Sequence, residues 1–151
     1  MRFIRLISIG VLVIFILFVI IKLLPNEKKN LIRDINALKN AVEKEEAGTI
    51  LNYLDKEYLD KNQLDFEGLK STISEFLNVA DSINIMMSGL KIWIDSNSNN
   101  TIYAHCSLGL RVIAKYENEK VLVFGGVIQP ASVKGYFRKQ RDNYKIYSAE
   151  Y

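Results

Sequence analysis

The sequence predicts an α+β domain, three N-terminal helices packed on a bent antiparallel sheet, preceded by one transmembrane helix. Three observations lead there. The run from Leu6 to Ile21 holds no charged side chain, apolar residues then recur at helical spacing as far as Ala80, and from Ser82 onward they alternate.

A spanning helix needs roughly 20 mainly apolar residues at about 1.5 Å of rise each. Leu6 to Leu24 supplies that length if Lys22 extends its ammonium towards the headgroups. Arg2 and Arg5 before the apolar core also fit a secretory signal, but Val19 to Pro25 offers no small-x-small cleavage site. A lipoprotein is excluded because Cys106 is the only cysteine. A buried soluble helix is a poor reading of a segment apolar on every side. Arg2 and Arg5 favour a cytoplasmic N-terminus, while Lys22, Lys28, Lys29 and Arg33 compete from the other side. A tail this short suits a signal anchor with its domain translocated. Residues 1–25 are therefore read as a single-pass anchor in the inner or cytoplasmic membrane of a bacterium, embedded through residues 4–24, with residues 26–151 outside the cytoplasm.

The chain has 20 Lys and Arg against 17 Asp and Glu, and the surplus is Arg2, Arg5 and Lys22. Residues 26–151 are thus formally neutral, which argues against a nucleic-acid partner, since binding a phosphate backbone needs a concentrated basic surface. A single cysteine forbids an internal disulfide, and Cys106, between Ala104 and Leu108 on one strand face, reads as a small core residue.

Residues 26–151 have the size of one domain, and neither a repeat nor a low-complexity linker divides them. Pro25 ends the spanning helix and Asn26 caps the next, whose stripe is Leu31, Ile35, Leu38 and Val42. Gly48 is the expected terminator, and Thr49 the expected cap of a short second helix carrying Ile50, Leu51 and Leu54. A third helix starts near Asp65 and lines up Phe66, Leu69, Ile73, Phe76, Leu77 and Ala80.

In the first strand Ile83, Ile85 and Met87 alternate, then Leu90, Ile92 and Ile94 alternate in the opposite phase, so a β-bulge is expected at Ser88 and Gly89. Ser96 to Asn100 is a turn by composition. From Thr101 to Tyr116 the residues Ala104, Cys106, Leu108, Leu110, Val112 and Ala114 share one face, and Tyr103, His105, Ser107, Gly109 and Arg111 the other. After a turn at Glu117 to Lys120, one strand is expected from Val121 to Gln140, kinked at Gly125, Gly126 and Pro130. Arg141 to Asn143 closes a hairpin onto a last strand, Tyr144 to Tyr151.

This order of elements resembles the nuclear transport factor 2-like superfamily, a cone in which a bent sheet folds around three helices. The resemblance covers residues 28–151. It rests on EEAGTILNYLDKEYLD, which is similar to the family's second helix and short strand, on the bulged long strands, and on the ending RDNYKIYSAEY. In that ending a polar turn precedes an aromatic, a basic and an aliphatic residue, Tyr144, Lys145 and Ile146. The superfamily includes isomerases, dehydratases, binders of lipids or polyketides, and scaffolds, so the resemblance implies a fold and leaves function to the residues.

The family's enzymes resemble one another in placing a carboxylate, or His with Asp, inside the cone for proton transfer beside a carbonyl. Here Asp95, Glu117, Glu119, Asp142 and Glu150 fall at turns or strand ends; Asp55, Glu57 and Asp60, near the short strand that lines the cone mouth in similar proteins, are the residual candidates for such a base, with solvated loop charges as the favoured reading. His105, the only histidine, belongs to the outer face, and without a second His or a thiolate it is a poor zinc ligand. No Gly-rich phosphate loop, paired Cys motif or nucleophile elbow occurs, so neither metal nor cofactor is expected. Asn99, Asn100 and Thr101 form a glycosylation triplet of the kind that arises by chance.

Tyr53, Tyr58, Phe76, Met86, Met87 and Trp93 are the candidates to line a pocket for a lipid-like or aromatic ligand, with plain core packing as the alternative. Tyr103, His105, Ser107 and Arg111 are the candidates for an interface, either a homodimer or a membrane complex, because aromatics and Arg are favoured there. Inner-membrane assembly factors of type IV secretion are similar in plan, but carry a longer tail and an Asn-Pro loop motif that this chain lacks. The expectation is a membrane-anchored, non-catalytic binding or interaction module. Its alternative is a proton-transfer enzyme of the isomerase or dehydratase type.

Overall fold

The structure, a computed structural model, describes residues 26–98 and 101–151; the expected anchor at residues 1–25 lies outside them. Among the described residues no helix is long and apolar enough to cross a membrane. Three helices are followed by five antiparallel strands: α1 (Glu27–Glu43), α2 (Ala47–Asn52), α3 (Phe66–Val79), β1 (Asp81–Ser98), β2 (Thr101–Tyr116), β3 (Glu119–Phe124), β4 (Ala131–Gln140) and β5 (Asn143–Glu150).

Asn26 caps α1 by accepting from the Lys29 amide at 3.3 Å, which satisfies one of the donors a helix start leaves open. Of the expected stripe, Leu31 and Ile35 are buried and Leu38 and Val42 half-buried. The helix ends five residues before Gly48. Glu45 takes the left-handed conformation (φ 60°), and Glu46 is the cap position of α2, so Gly48 and Thr49 lie inside that helix. The reason is tertiary. Glu43 accepts from the Ile85 amide at 2.8 Å and Glu45 from the Ser82 amide at 3.1 Å, and these bonds hold the end of α1 to the start of β1.

After α2 the chain runs beside β5. Leu54 bridges Ile146 in parallel, the Asp55 amide donates to the Ile146 carbonyl at 2.8 Å, and the Leu59 amide to the Tyr147 carbonyl at 3.1 Å. Asp65 caps α3 through the Gly68 amide at 2.8 Å. No residue of α3 is buried; the helix is attached chiefly by Phe76 and Leu77, which pack on Ala80, Ile83 and Ala114.

The strand order is β1-β2-β4-β5, with β3 paired to the far end of β2. The expected bulge in β1 is present: register shifts between Ser88 and Lys91, and Gly89 sits at φ 62°. The expected single strand from Val121 to Gln140 is instead two. Gly125 (φ 87°) turns the chain out, and a Cβ there would stand 2.6 Å from the Leu110 carbonyl oxygen, so only glycine lets β3 and β4 follow one another along β2. The main core lies between α1 and the sheet, where Leu31 and Ile35 meet Ala104, Cys106, Leu108, Phe137 and Tyr144.

Candidate functional site

Helix α1 crosses the even-numbered face of β2 without filling the space above it. Ile35, Leu38 and Val42 on one side and Met87, Cys106, Leu108, Leu110, Phe137 and Ile146 on the other bound a cavity of about 240 Å³. Of its lining side chains only Lys39 carries a formal charge, and its ammonium is engaged by Glu43 at 3.1 Å. Burial pushes the Cys106 thiol up, partly offset by a backbone hydrogen bond from Gly135, so the thiol stays protonated at neutral pH. Gly135 also belongs to the wall; a Cβ there would meet the Phe137 ring at 3.0 Å.

The six pocket candidates separate. Met87 lines this cavity. Phe76 packs in the second core cluster under α3. Tyr53 uses its carbonyl to accept from the Ile146 amide at 2.9 Å. Tyr58 is buried beside Asp60, and burial together with the Asp60 charge pushes its phenol up to about 12. Met86 and Trp93 stand on the outer face, because Met86 pairs with Arg111 and Trp93 with His105 in the β1–β2 register. The two are 52% and 42% exposed, too wet for a cavity wall.

That outer face brings the interface candidates together. The Trp93 indole stacks on the His105 imidazole with centroids 4.7 Å apart, and His105 Nδ1 lies 2.7 Å from Asp95 Oδ1. Tyr136 follows, its hydroxyl donating to Glu150 at 3.1 Å, and then Tyr147, which meets the edge of Tyr103. Ser107 and Arg111 continue the same face of β2, and Arg111 Nε is buried without a hydrogen-bond partner. The Asp95 contact and the place of Trp93 went unforeseen, although the alternation of Ile92 and Ile94 towards the core puts Trp93 on the opposite face.

Two of the three acids near the cone mouth are not the solvated charges expected, and Glu57 is. Asp55 and Asp60 are buried, 1% and 3% exposed, whereas Glu57 is open to solvent. Asp55 receives Arg138, through Nε and through Nη2 at 2.7 Å, along with Gln140 at 2.7 Å and the Glu57 amide at 2.9 Å. Burial raises its pKa, but the Arg138 bonds and charge outweigh that and hold the carboxyl below the ordinary range. Asp60 accepts from the amides of Asn62 and Leu64 and from the Tyr151 hydroxyl, and these bonds overcome burial in the same way. Asp55 accepts four hydrogen bonds and Asp60 three, and neither lines the cavity.

No family model matches the chain, and neither does any curated protein. Solved structures do. A protein of the nuclear transport factor 2-like family from Streptomyces avermitilis, a candidate dehydratase, superposes with a TM-score of 0.65 at 10% identity, over 83% of this chain and 96% of its own. The domain has the nuclear transport factor 2-like fold. Two further structures carry this fold as part of a longer chain. The helical cell shape determining protein Pgp2 from Campylobacter jejuni matches over 80% of this chain and 39% of its own (TM-score 0.59, 17% identity). Bd1075 from Bdellovibrio bacteriovorus matches over 81% and 38% (TM-score 0.59, 13% identity). The chain therefore spans about two fifths of the length of these two.

Proposed function

We propose that this chain is a membrane-anchored, non-catalytic binding module whose cone takes a small apolar ligand. The observation that carries the reading is the lining of the cavity, apolar except for a lysine already engaged by Glu43. An apolar cavity on the order of 150 Å³ stays dry and holds benzene. About 240 Å³ suits a substituted aromatic ring or a short acyl chain. Residues 1–25 tether the domain to the cytoplasmic membrane of a bacterium, with residues 26–151 outside the cytoplasm. Confinement there raises its effective concentration against lipids and membrane-bound partners.

Two observations weigh on the alternatives. A dehydratase or isomerase must set a carboxyl or imidazole against the reacting carbon, and Asp55, Asp60 and His105 are all committed elsewhere, which favours binding over proton transfer. A partner protein is the second use of the fold. The likeness to a cell-shape protein suits such a role, and the face of Tyr103, His105, Ser107 and Arg111 is where a partner or second copy would sit.

The test is native mass spectrometry of the full chain released from cell membranes, beside a Val133→Phe variant that puts a ring into the cavity wall. An adduct that leaves on denaturation and is missing from the variant is the expected result. An adduct-free wild type whose cavity also refuses aromatic and acyl probes sinks the ligand reading and leaves the interaction role.

A further inference from the structure

The end of the domain from which residues 1–25 depart is built as one basic surface. The β4–β5 turn is bound to the first two turns of α1. Lys139 Nζ donates to Glu27 at 2.9 Å, the Tyr144 hydroxyl to Glu27 at 2.9 Å, the Tyr144 amide to Asp34 at 2.8 Å, and Arg33 Nη2 to the Asp142 carbonyl at 3.4 Å. Glu27 and Asp34 are thereby turned inward, leaving Asp142 as the exposed carboxylate of these two segments. Lys28, Lys29 and Arg141 are exposed and Lys145 half-buried, and none has an ion-pair partner among the described residues. Arg141 and Lys145 also line an open polar cleft of about 550 Å³ between Asn52 and the turn.

The position of this surface matters more than its size. Asn26, the first described residue, opens α1 at this end, and the apolar run Leu6 to Leu24 stops two residues before it. Residues 26–151 are formally neutral, so the excess of base here is matched by acid elsewhere. Glu45, Glu46, Glu117 and Glu119 lie past the opposite ends of α1 and β2, with Lys44 and Lys120 among them. The domain is polarised from one end of α1 to the other.

We propose that this end, through Lys28, Lys29, Arg141 and Lys145, seats on the anionic phospholipid headgroups of the bilayer that residues 6–24 enter. The seating holds the domain upright on its membrane. It rests on the anchor reading above. A base close to an anionic surface gains roughly fivefold in binding, and the attraction dies away over a Debye length of about 10 Å at 0.1 M salt. Four such groups on one rigid end therefore bias orientation without any further contact.

The experiment is lysine acylation of the full chain in nanodiscs of phosphatidylcholine, alone or mixed with phosphatidylglycerol. Lys28, Lys29 and above all Lys145, which no proximity to residue 25 protects through the chain, should label several-fold more slowly in the anionic discs. High salt should remove the protection, Arg141→Glu should weaken it at Lys145, and Lys120 and Lys134 should label alike in both discs. Equal rates at Lys145 in the two lipids overturn the proposal. Alkaline carbonate extraction decides the anchor separately. A chain washed off by carbonate loses the anchor reading, and labelling with free phosphatidylglycerol vesicles then decides the basic end alone: protection at Lys145 keeps it as a headgroup surface, and none overturns it.

Discussion

The two faces of β2 are made from one stretch of chain and do opposite things. Its even-numbered residues, Ala104, Cys106 and Leu108, are small or aliphatic, meet α1, and leave a space unfilled. Its odd-numbered residues include polar and aromatic groups, some of which neighbouring strands meet sideways, as Asp95 and Trp93 do for His105, while Arg111 Nε stays unpartnered. A strand's period of two is enough to separate a binding volume from a polar outer surface. On the helix side, specificity must come from shape, because little there can form a hydrogen bond. On the outer side, chemistry is present but flat.

The sharpest way to break the helix side is Leu31→Ala. Leu31 has no exposure and ties α1 to the sheet over the cavity, so truncation loses both transfer free energy and packing. A loss of about 3 kcal/mol in urea unfolding is expected. A loss below about 1 kcal/mol would mean that α1 rides loosely over the sheet and that the cavity is not a defined volume.

Arg138→Ala breaks the contact that joins β4 to the segment after α2. It leaves Asp55 buried with Gln140 and one amide, and a cost of about 2 to 3 kcal/mol at neutral pH is expected. The pH dependence gives the sign. In the wild type the folded Asp55 pKa lies below its ordinary 3.8, so its contribution is complete above that value and is lost as pH falls through the lowered folded pKa. In the variant, burial without the guanidinium raises the Asp55 pKa, and the protonated form suits the fold. The stability gap should therefore be widest at neutral pH and narrow in acid. A gap that stays constant with pH would show that Arg138 acts by packing and not through the Asp55 charge.

How much of this was legible follows the same division. The period of two in β2, the bulge at Gly89, the cap Asn26 and the start of α3 near Asp65 were all readable, because each depends on residues close in sequence. The end of α1 was not, since bonds from Glu43 and Glu45 to β1 outvoted a glycine. Nor was the division of Val121 to Gln140 into two strands, which depends on how closely Gly125 approaches Leu110. The burial of Asp55 could not be read because its partners, Arg138 and Gln140, lie more than eighty residues away. The cavity was the least legible feature of all. An unfilled volume depends on how far α1 stands off the sheet, and local periodicity, which does order the lining residues on their strands, carries no trace of that distance.

The smallest expected effect is on the outer face, and it is informative because it is small. Asp95→Asn keeps the shape of the side chain and removes the charge beside His105, a pair whose members are 38% and 31% exposed. Exposed pairs of this kind contribute about 0.2 to 1 kcal/mol, so unfolding of the variant should shift by no more than that. The Trp93 stack gives a second reading of the same change. Nδ1 of His105 faces the Asp95 carboxylate, so the ring plane is held where it covers the indole. With Asn in place, tryptophan emission should move to longer wavelength as the imidazole swings away and water reaches the indole. Unchanged emission would mean that stacking alone holds the pair. The outer face would then be an apolar platform with an incidental carboxylate, a surface better suited to a partner's side chains than to a charged ligand.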